Sequence, residues 1–290
     1  GLHNYQLFLC SSGAEANENA LKLASFHTGK KRIIAFKNAF HGRTSAAVAV
    51  TDNQTINAPL NRQQDVTFIP FDDLEALEDE LKKGDVCGVI FEPIQGVGGL
   101  DIPDDDFVLG MNTLCEKYDT CLIADEVQSG FSRSGNFFAF QQNNIKPHVI
   151  TMAKGMGNGF PIGGILVHPD LKPKYGMLGT TFGGNHLACS ASLAVLEIIK
   201  KDKLQHHAKS METYFRAKAE KIKGIKIKGR GLMLGLAFDF EVGPLRKSLI
   251  YEKNIFTGGS SNKNVLRILP PLTVQKKHFD RFFEALEDLL

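Results

Sequence analysis

Short apolar runs alternate with amphipathic stretches over the first two thirds of the chain, and this pattern predicts a sheet covered by helices. The apolar runs lie at residues 7–10, 33–36, 86–91, 122–124, 149–152 and 165–167. Helices are predicted from residue 13 and over residues 74–81, 107–118 and 186–200. The runs are apolar at odd and even positions alike, as in strands with helices on both faces. The alternation indicates an α/β fold with a mostly parallel, mixed sheet.

The pattern changes near residue 201. A Lys-rich amphipathic helix extends to residue 222, and a further helix is predicted from residue 274. Strand patterns occupy residues 225–228, 232–240 and 265–269. We therefore predict a large domain over residues 1–200 and a smaller α+β domain over residues 201–290.

Composition and charge exclude several classes of protein. The 290 residues include 34 Lys and Arg against 32 Asp and Glu, so a net charge of +2 leaves no basic surplus for nucleic acid. No apolar run approaches the roughly 20 residues that span a bilayer. Five scattered cysteines without a C-x-x-C spacing favour reduced thiols over disulfides or a metal site. With no signal-peptide pattern, we expect a cytoplasmic protein.

The first predicted helix begins in a way that suits an anion. Ser12 and Glu15 have the S-x-x-E spacing of a capping box after an apolar strand. The amides of Gly13 and Ala14 would then be free at a helix N-terminus, where the helix dipole favours a phosphate or carboxylate. An ordinary capped helix is the alternative for this segment.

Two charged residues come directly after apolar strands. Asp125 follows the run 122–124, and the crevice at the carboxyl ends of such strands is where open α/β sheets bind ligands. Lys154 follows the run 149–152 and precedes a glycine-rich stretch, so desolvation would lower its pKa and make the amine a carbonyl nucleophile. Taken alone, Asp125 is more often a turn or cap residue, and a lone lysine is usually solvated.

An aromatic ring and two guanidiniums complete the candidate chemistry. Phe40 and Arg43 lie in one short segment, and Arg267 lies inside an apolar strand, where it needs an anionic partner. Arg43 could instead be a surface charge, and Arg267 could pair with a protein carboxylate. A lysine, a strand-end Asp, an anion-binding helix start and an aromatic ring together describe a pyridoxal phosphate site. Dinucleotide and Walker A patterns are not met.

Six motifs in sequence resemble those of class III aminotransferases, closest to the acetylornithine, succinylornithine and ornithine aminotransferases. They are SGAEANE at 12–18, FHGRT at 40–44, EPIQG at 92–96, DEVQSGF at 125–131, KG at 154–155 and TFGGN at 181–185. The resemblance spans nearly the whole chain. It implies a fold of the type I pyridoxal phosphate enzymes and a homodimer. It also implies that on the order of a hundred residues precede the phosphate-binding helix, a size typical of part of a domain.

The resemblance assigns a role to each candidate residue. Lys154 would bond to the aldehyde carbon of the cofactor, and Asp125 would pair with its ring nitrogen. Gln128 would bind the phenolic oxygen, Phe40 would stack on the ring, and Gly13 and Ala14 would hold the phosphate. Thr181 would reach the phosphate of the neighbouring subunit. The assigned residues are Gly13, Ala14, Phe40, Asp125, Gln128, Lys154 and Thr181.

The implied reaction is transfer of the terminal amine of an N-acylornithine to 2-oxoglutarate, in arginine biosynthesis. Arg43 resembles the arginine for the carboxylate of the acylornithine, and Arg267 the one for glutamate. Val97 departs from the pattern, since most relatives have a Glu there that can cover the glutamate-binding arginine. Transamination of ornithine or 4-aminobutyrate is the alternative reaction, and a catalytically silent protein of the same fold is the alternative class.

Overall fold

Seven strands form the main sheet in this computed structural model, which describes residues 2–62 and 64–290. Their order across the sheet is β1, β7, β6, β5, β4, β2, β3. The strands are β1 (Gln6–Cys10), β2 (Arg32–Phe36), β3 (Val66–Ile69), β4 (Val86–Phe91), β5 (Cys121–Asp125), β6 (Val149–Met152) and β7 (Gly163–Val167). Strands β3, β2, β4, β5 and β6 are parallel neighbours, whereas β7 is antiparallel to both β6 and β1. The predicted mixed, mostly parallel sheet is confirmed.

Helices cover the sheet, as the two-sided apolar strands require. Within the described residues they are α1 (Gly13–Thr28), α2 (Ser45–Ala49), α3 (Leu74–Leu81), α4 (Asp105–Lys117), α5 (His186–Lys201), α6 (Leu204–Ala219), α7 (Gly243–Tyr251) and α8 (Lys276–Glu287). None of these helices has both the length and the apolar character that crossing a membrane requires. Buried side chains of α1 form one core with one face of the sheet, while α3 and α4 contribute to a second core.

A second, three-stranded sheet has its own core. Antiparallel strands β8 (Lys226–Arg230), β9 (Met233–Ala237) and β10 (Val265–Ile268) run in the order β10, β9, β8. Helices α6 and α8 pack over this sheet through Phe215, Phe279 and Phe283, and the Phe215 ring centroid is 5.0 Å from that of Phe283. The boundary at residues 200 and 201 stays a prediction.

Three elements lay outside the predicted pattern. Strand β3 is only half-buried at the edge of the sheet, so its side chains have weak apolar contrast. Helix α2 has only five residues, which is too short for a periodic pattern to register. Helix α7 begins with Gly243 and Pro244, which read locally as a turn although Pro is favoured in the first turn of a helix. The remaining predicted elements are present with shifts of a few residues at their ends.

The sheet brings the strand ends of interest to one edge. Asp125, the last residue of β5, is paired with Thr151 near the end of β6. Lys154 follows β6 by two residues. The end of β1 lies at the same edge because β1 and β6 both run antiparallel to β7. The start of α1 therefore lies beside the segments that carry Asp125 and Lys154.

Candidate active site

Two adjoining cavities open at this edge of the sheet. Cavity A has a volume of about 770 Å³, and cavity B has a volume of about 690 Å³. Cavity A is lined by Gly13, Ala14, Phe40, Arg43 and Asp125, and cavity B by Val97, Leu269 and Arg267, among others. Lys154 and Gln128 line both. The structure thus brings together every predicted site residue except Thr181.

The start of α1 forms one wall of cavity A. The Ser12 side chain accepts the N–H of Glu15 at 3.2 Å, and the Glu15 carboxylate accepts the N–H of Ser11 at 2.9 Å. The cap thereby satisfies amides on either side of Gly13 while the amides of Gly13 and Ala14 stay free to bind an anion. A methyl group on Gly13 would lie 2.7 Å from Cγ1 of Val127, so the close packing here requires glycine.

Asp125 is buried at the bottom of cavity A and is held by several donors. Its Oδ2 accepts Nδ2 of Asn17 at 2.7 Å and lies 2.7 Å from Nδ1 of His41. Its Oδ1 accepts the backbone N–H of Val127 at 3.0 Å. These contacts fix the orientation of the carboxylate at the bottom of the cavity.

Lys154 lies at the junction of the two cavities. Its side chain is reached by solvent through the open cavities, but the surrounding protein still desolvates the amine and lowers its pKa, while the charge of Asp125 acts in the opposite direction. The backbone of Lys154 has φ 46°, a left-handed conformation that is uncommon for a side-chain-bearing residue. Such strain concentrates at functional sites.

Phe40 and Gln128 line cavity A from different segments. The backbone N–H of Phe40 donates to Oε2 of Glu92 at 3.0 Å, which holds the segment that presents the ring. Oε1 of Gln128 is buried and has no hydrogen-bond partner among the described residues. A buried acceptor without a donor is costly, so this oxygen is poised for a ligand.

Three guanidiniums line the cavities: that of Arg133 lines both and donates to the backbone oxygens of Leu232 and Pro270, while those of Arg43 and Arg267 line one each. Arg43 is exposed where it lines cavity A. Nη1 of Arg267 donates to the carbonyl oxygen of Gly96 at 2.6 Å, and Nε of Arg267 is buried without a partner among the described residues. Desolvation and the nearby charge of Arg246 lower the pKa of Arg267. No carboxylate in the described part of the chain forms an ion pair with Arg43 or Arg267.

Thr181 lies apart from both cavities. It is exposed in the segment between β7 and α5, and it is not among the described residues that line cavity A or B. The structure of one chain therefore does not bring Thr181 to Lys154. The expected contact with a neighbouring subunit stays a prediction.

Sequence reasoning missed three residues that contact the predicted site. Asn17 and His41 hold Asp125, and Glu92 holds Phe40. A signal for Asn17 was present, because Asn17 lies four residues after Gly13 and so shares its helix face. His41 and Glu92 gave no comparable signal, since their partners are distant in the sequence.

Pyridoxal phosphate fits the chemistry of cavity A. The free amides at the start of α1 suit its phosphate, and the buried carboxylate of Asp125 suits a protonated ring nitrogen. The unpaired Gln128 oxygen and the desolvated Lys154 amine suit its ring oxygen and its aldehyde. The fold and the cavity together define a pyridoxal phosphate-dependent enzyme.

Comparison with known proteins narrows this class. The family model described as "Aminotransferase class-III" matches residues 2–290, and the chain belongs to this family of pyridoxal phosphate-dependent aminotransferases. The acetylornithine aminotransferase of Methanosarcina acetivorans is 36% identical over 287 residues, covering 97% of this chain and 72% of the relative. The acetylornithine aminotransferase of Corynebacterium efficiens is 39% identical over 296 residues, covering 98% of this chain and 72% of the relative.

Solved structures show the same fold. An ornithine aminotransferase from Toxoplasma gondii, described with partial occupancy of pyridoxal phosphate at its active site, superposes with a TM-score of 0.89. It is 28% identical, and the match covers 98% of this chain and 72% of that one. The family expected from the six motifs is thereby confirmed.

Proposed function

We propose that this chain transfers the terminal amine of an N-acylornithine to 2-oxoglutarate, as a step of arginine biosynthesis. One observation carries the proposal: the Lys154 amine lies where two cavities meet, and each cavity holds a guanidinium without a carboxylate partner among the described residues. Planar guanidiniums bind carboxylates with two parallel hydrogen bonds. A transaminase needs such sites because it binds two amino acids in turn at one lysine.

Each cofactor contact is proposed from the position of a side chain in cavity A. Gly13 and Ala14 hold the phosphate through their backbone amides, and Phe40 stacks on the ring. Asp125 keeps the ring nitrogen protonated, and the side-chain amide of Gln128 hydrogen-bonds to the phenolic hydroxyl of the ring. The bound cofactor supplies an electron-accepting ring that stabilises a carbanion on the substrate carbon.

The protein's own part in the chemistry is proton transfer and orientation. With its pKa lowered by desolvation, the neutral amine of Lys154 can accept a proton at Nζ from the substrate carbon. Asn17 and His41 hold Asp125 in the orientation in which it would pair with the ring nitrogen. Arg43 orients the carboxylate of the N-acylornithine, and Arg267 orients that of glutamate.

The names of the relatives make N-acetylornithine the first candidate substrate. Their names specify acetylornithine, and their similarity extends over nearly the whole of this chain. Ornithine is the second candidate, because the superposed Toxoplasma gondii enzyme is an ornithine aminotransferase. N-Succinylornithine and 4-aminobutyrate complete the set that the motif resemblance suggests.

Parallel transamination assays would decide between these substrates. Purified protein with pyridoxal phosphate is given 2-oxoglutarate and N-acetylornithine, N-succinylornithine, ornithine or 4-aminobutyrate, and glutamate formation is measured. The highest kcat/KM with an N-acylornithine supports the proposal. A higher kcat/KM with ornithine or 4-aminobutyrate would show that this compound is the substrate instead. Borohydride treatment followed by peptide mass spectrometry is expected to place the pyridoxyl group on Lys154. Without turnover of any substrate and without labelling, the chain would be catalytically silent.

We also propose a homodimer in which Thr181 contacts the cofactor phosphate bound by the partner. Thr181 is exposed outside the two cavities, and large apolar side chains that follow it, Phe182 next in sequence and Leu187 and Leu193 on α5, are exposed as well. Exposed apolar patches of this kind favour association. Sedimentation velocity is expected to give a dimer, and Thr181→Ala is expected to weaken cofactor binding; a monomer with full cofactor affinity would contradict both statements.

A further inference from the structure

A single buried carboxylate connects two segments of the site. Oε2 of Glu92 accepts the backbone N–H of Phe40 at 3.0 Å, and Oε1 accepts the backbone N–H of Gly96 at 3.0 Å. Glu92 is only 5% exposed. Its carboxylate thus bridges the segment that follows β2 and the loop that follows β4.

Gly96 also contacts two residues that line cavity B. Its carbonyl oxygen accepts Nη1 of Arg267 at 2.6 Å. Its Cα lies close against Gln128, since a Cβ on Gly96 would come within 2.2 Å of the Gln128 Nε2 atom. A displacement of Gly96 would therefore move the guanidinium of Arg267 and the amide of Gln128 together.

We propose that Glu92 is a positioning residue that links the aromatic wall of the cofactor site to the carboxylate-binding site at Arg267. The inference rests on the proposed function, because it takes Phe40 as the ring-stacking residue and Arg267 as the residue that binds glutamate. Arg43 has no hydrogen bond to Glu92 or Gly96. Glu92 therefore reaches Arg267 through the hydrogen bonds of one residue, Gly96, whereas Arg43 lies three residues beyond Phe40 and receives no such bond.

The contact is strongest with an ionised carboxylate. Two backbone N–H groups point at Glu92, and neither can reverse its direction, so two acceptor oxygens are needed. The pKa of Glu92 is raised to about 7, mainly by burial; Asp125 also acts to raise it, whereas His41 and the N–H groups of Phe40 and Gly96 act to lower it. Lys154 also faces Glu92. Below about pH 7 the added proton would confront one of the two N–H donors and loosen the connection.

The test compares Glu92→Gln with a matched control, Glu126→Gln. Glu126 is equally buried, and burial raises its pKa to about 7 as well. It accepts the N–H of Phe140 at 2.8 Å and the hydroxyl of Ser129 at 2.6 Å. A glutamine amide satisfies both partners there because the hydroxyl can turn and accept. At Glu92 the amide would turn a donor towards a backbone N–H.

Glu92→Gln is expected to change the KM for one substrate more than the KM for the other. Loss of one hydrogen bond at Gly96 should raise the KM for glutamate about fivefold, while the KM for N-acetylornithine changes less than about twofold. Equilibrium dialysis should show a smaller loss of pyridoxal phosphate binding, because the remaining amide oxygen still accepts the N–H of Phe40. The wild-type KM for glutamate should rise below pH 7, and this rise should be absent in Glu92→Gln. Glu126→Gln should show none of these changes.

Several results would overturn the inference. These are equal changes of the two KM values in Glu92→Gln, unchanged KM and cofactor affinity in that variant, or the same pattern in Glu126→Gln. If thermal melting shows that Glu92→Gln does not fold, Glu92→Asp is used, since its shorter carboxylate cannot reach both amides and should give the same split. Failure of the wild-type protein to use glutamate would instead overturn the proposed function, and dialysis would still decide the role of Glu92 at Phe40.

Discussion

The carboxylate of Asp125 and the imidazole of His41 form a buried pair with 2.7 Å between Oδ2 and Nδ1. His41 is 2% exposed and Asp125 is 4% exposed. Asn17 reinforces the pair, because its Nδ2 donates both to Oδ2 of Asp125 and to the backbone oxygen of His41. Asp125 is thus held in place by two neighbours from different segments, Asn17 on α1 and His41 after β2.

Asn17→Ala is expected to weaken cofactor binding by about tenfold or more. The variant removes a hydrogen bond to a charged group, which is worth roughly 1.5–3 kcal/mol, and leaves Asp125 held less firmly. Equilibrium dialysis with pyridoxal phosphate measures the change. The control is Asn19→Ala on the same helix, since among the described residues Asn19 donates only to the backbone oxygen of Glu15. Equal effects of the two variants would contradict a specific role for Asn17.

Local patterns predicted much of this fold and site, while contacts between distant segments stayed hidden. Asp125 and Lys154 were predictable because each lies at or just beyond the end of an apolar run, and the carboxyl ends of parallel strands share one edge. The Glu92 contact was not predictable, because it depends on where the loop after β2 passes over the sheet. Strand β3 was missed because it has only four residues and the polar Thr67 interrupts its apolar run.

Glu126 is expected to make folding more favourable at low pH. Burial raises its folded pKa from 4.5 to about 7, so the folded state holds the proton more tightly than the unfolded chain. Its contribution to the free energy of unfolding is present at low pH and is lost as the pH rises to about 7. The free energy of unfolding of wild type and of Glu126→Gln is measured with urea at pH 5 and pH 8. The difference between the two proteins should change by about 2 kcal/mol between these pH values. A difference independent of pH would contradict this expectation.

Gly13→Ala is expected to disturb the phosphate-binding end of α1. The new methyl group would lie 2.7 Å from Cγ1 of Val127, and relieving that overlap costs roughly 1–3 kcal/mol. Cofactor affinity should fall, as measured by dialysis, and thermal stability should fall with it. Gly243→Ala is the control, because no described heavy atom lies within 4 Å of its added Cβ. Equal cofactor affinity in the two variants would rule out a steric need for glycine at Gly13.

Val97→Glu is expected to change the choice between acyl groups. Val97 and Arg267 line the same cavity, and Arg267 has no ion-pair partner in the described part of the chain. A carboxylate at position 97 would neutralise the guanidinium and repel the free carboxylate of a succinyl group. The kcat/KM for N-succinylornithine should fall about tenfold relative to that for N-acetylornithine, which corresponds to roughly 1.4 kcal/mol.

Val97→Gln separates charge from size in this experiment. Glutamine has nearly the volume of glutamate but carries no charge, so it should leave the ratio of the two kcat/KM values close to that of the wild type. Added salt should reduce the effect of Val97→Glu, since the cavity is open and ions screen exposed charges. Unchanged relative kcat/KM in Val97→Glu would show that Arg267 does not sense the acyl group. A like change in both variants would assign the effect to volume rather than to the charge on Arg267.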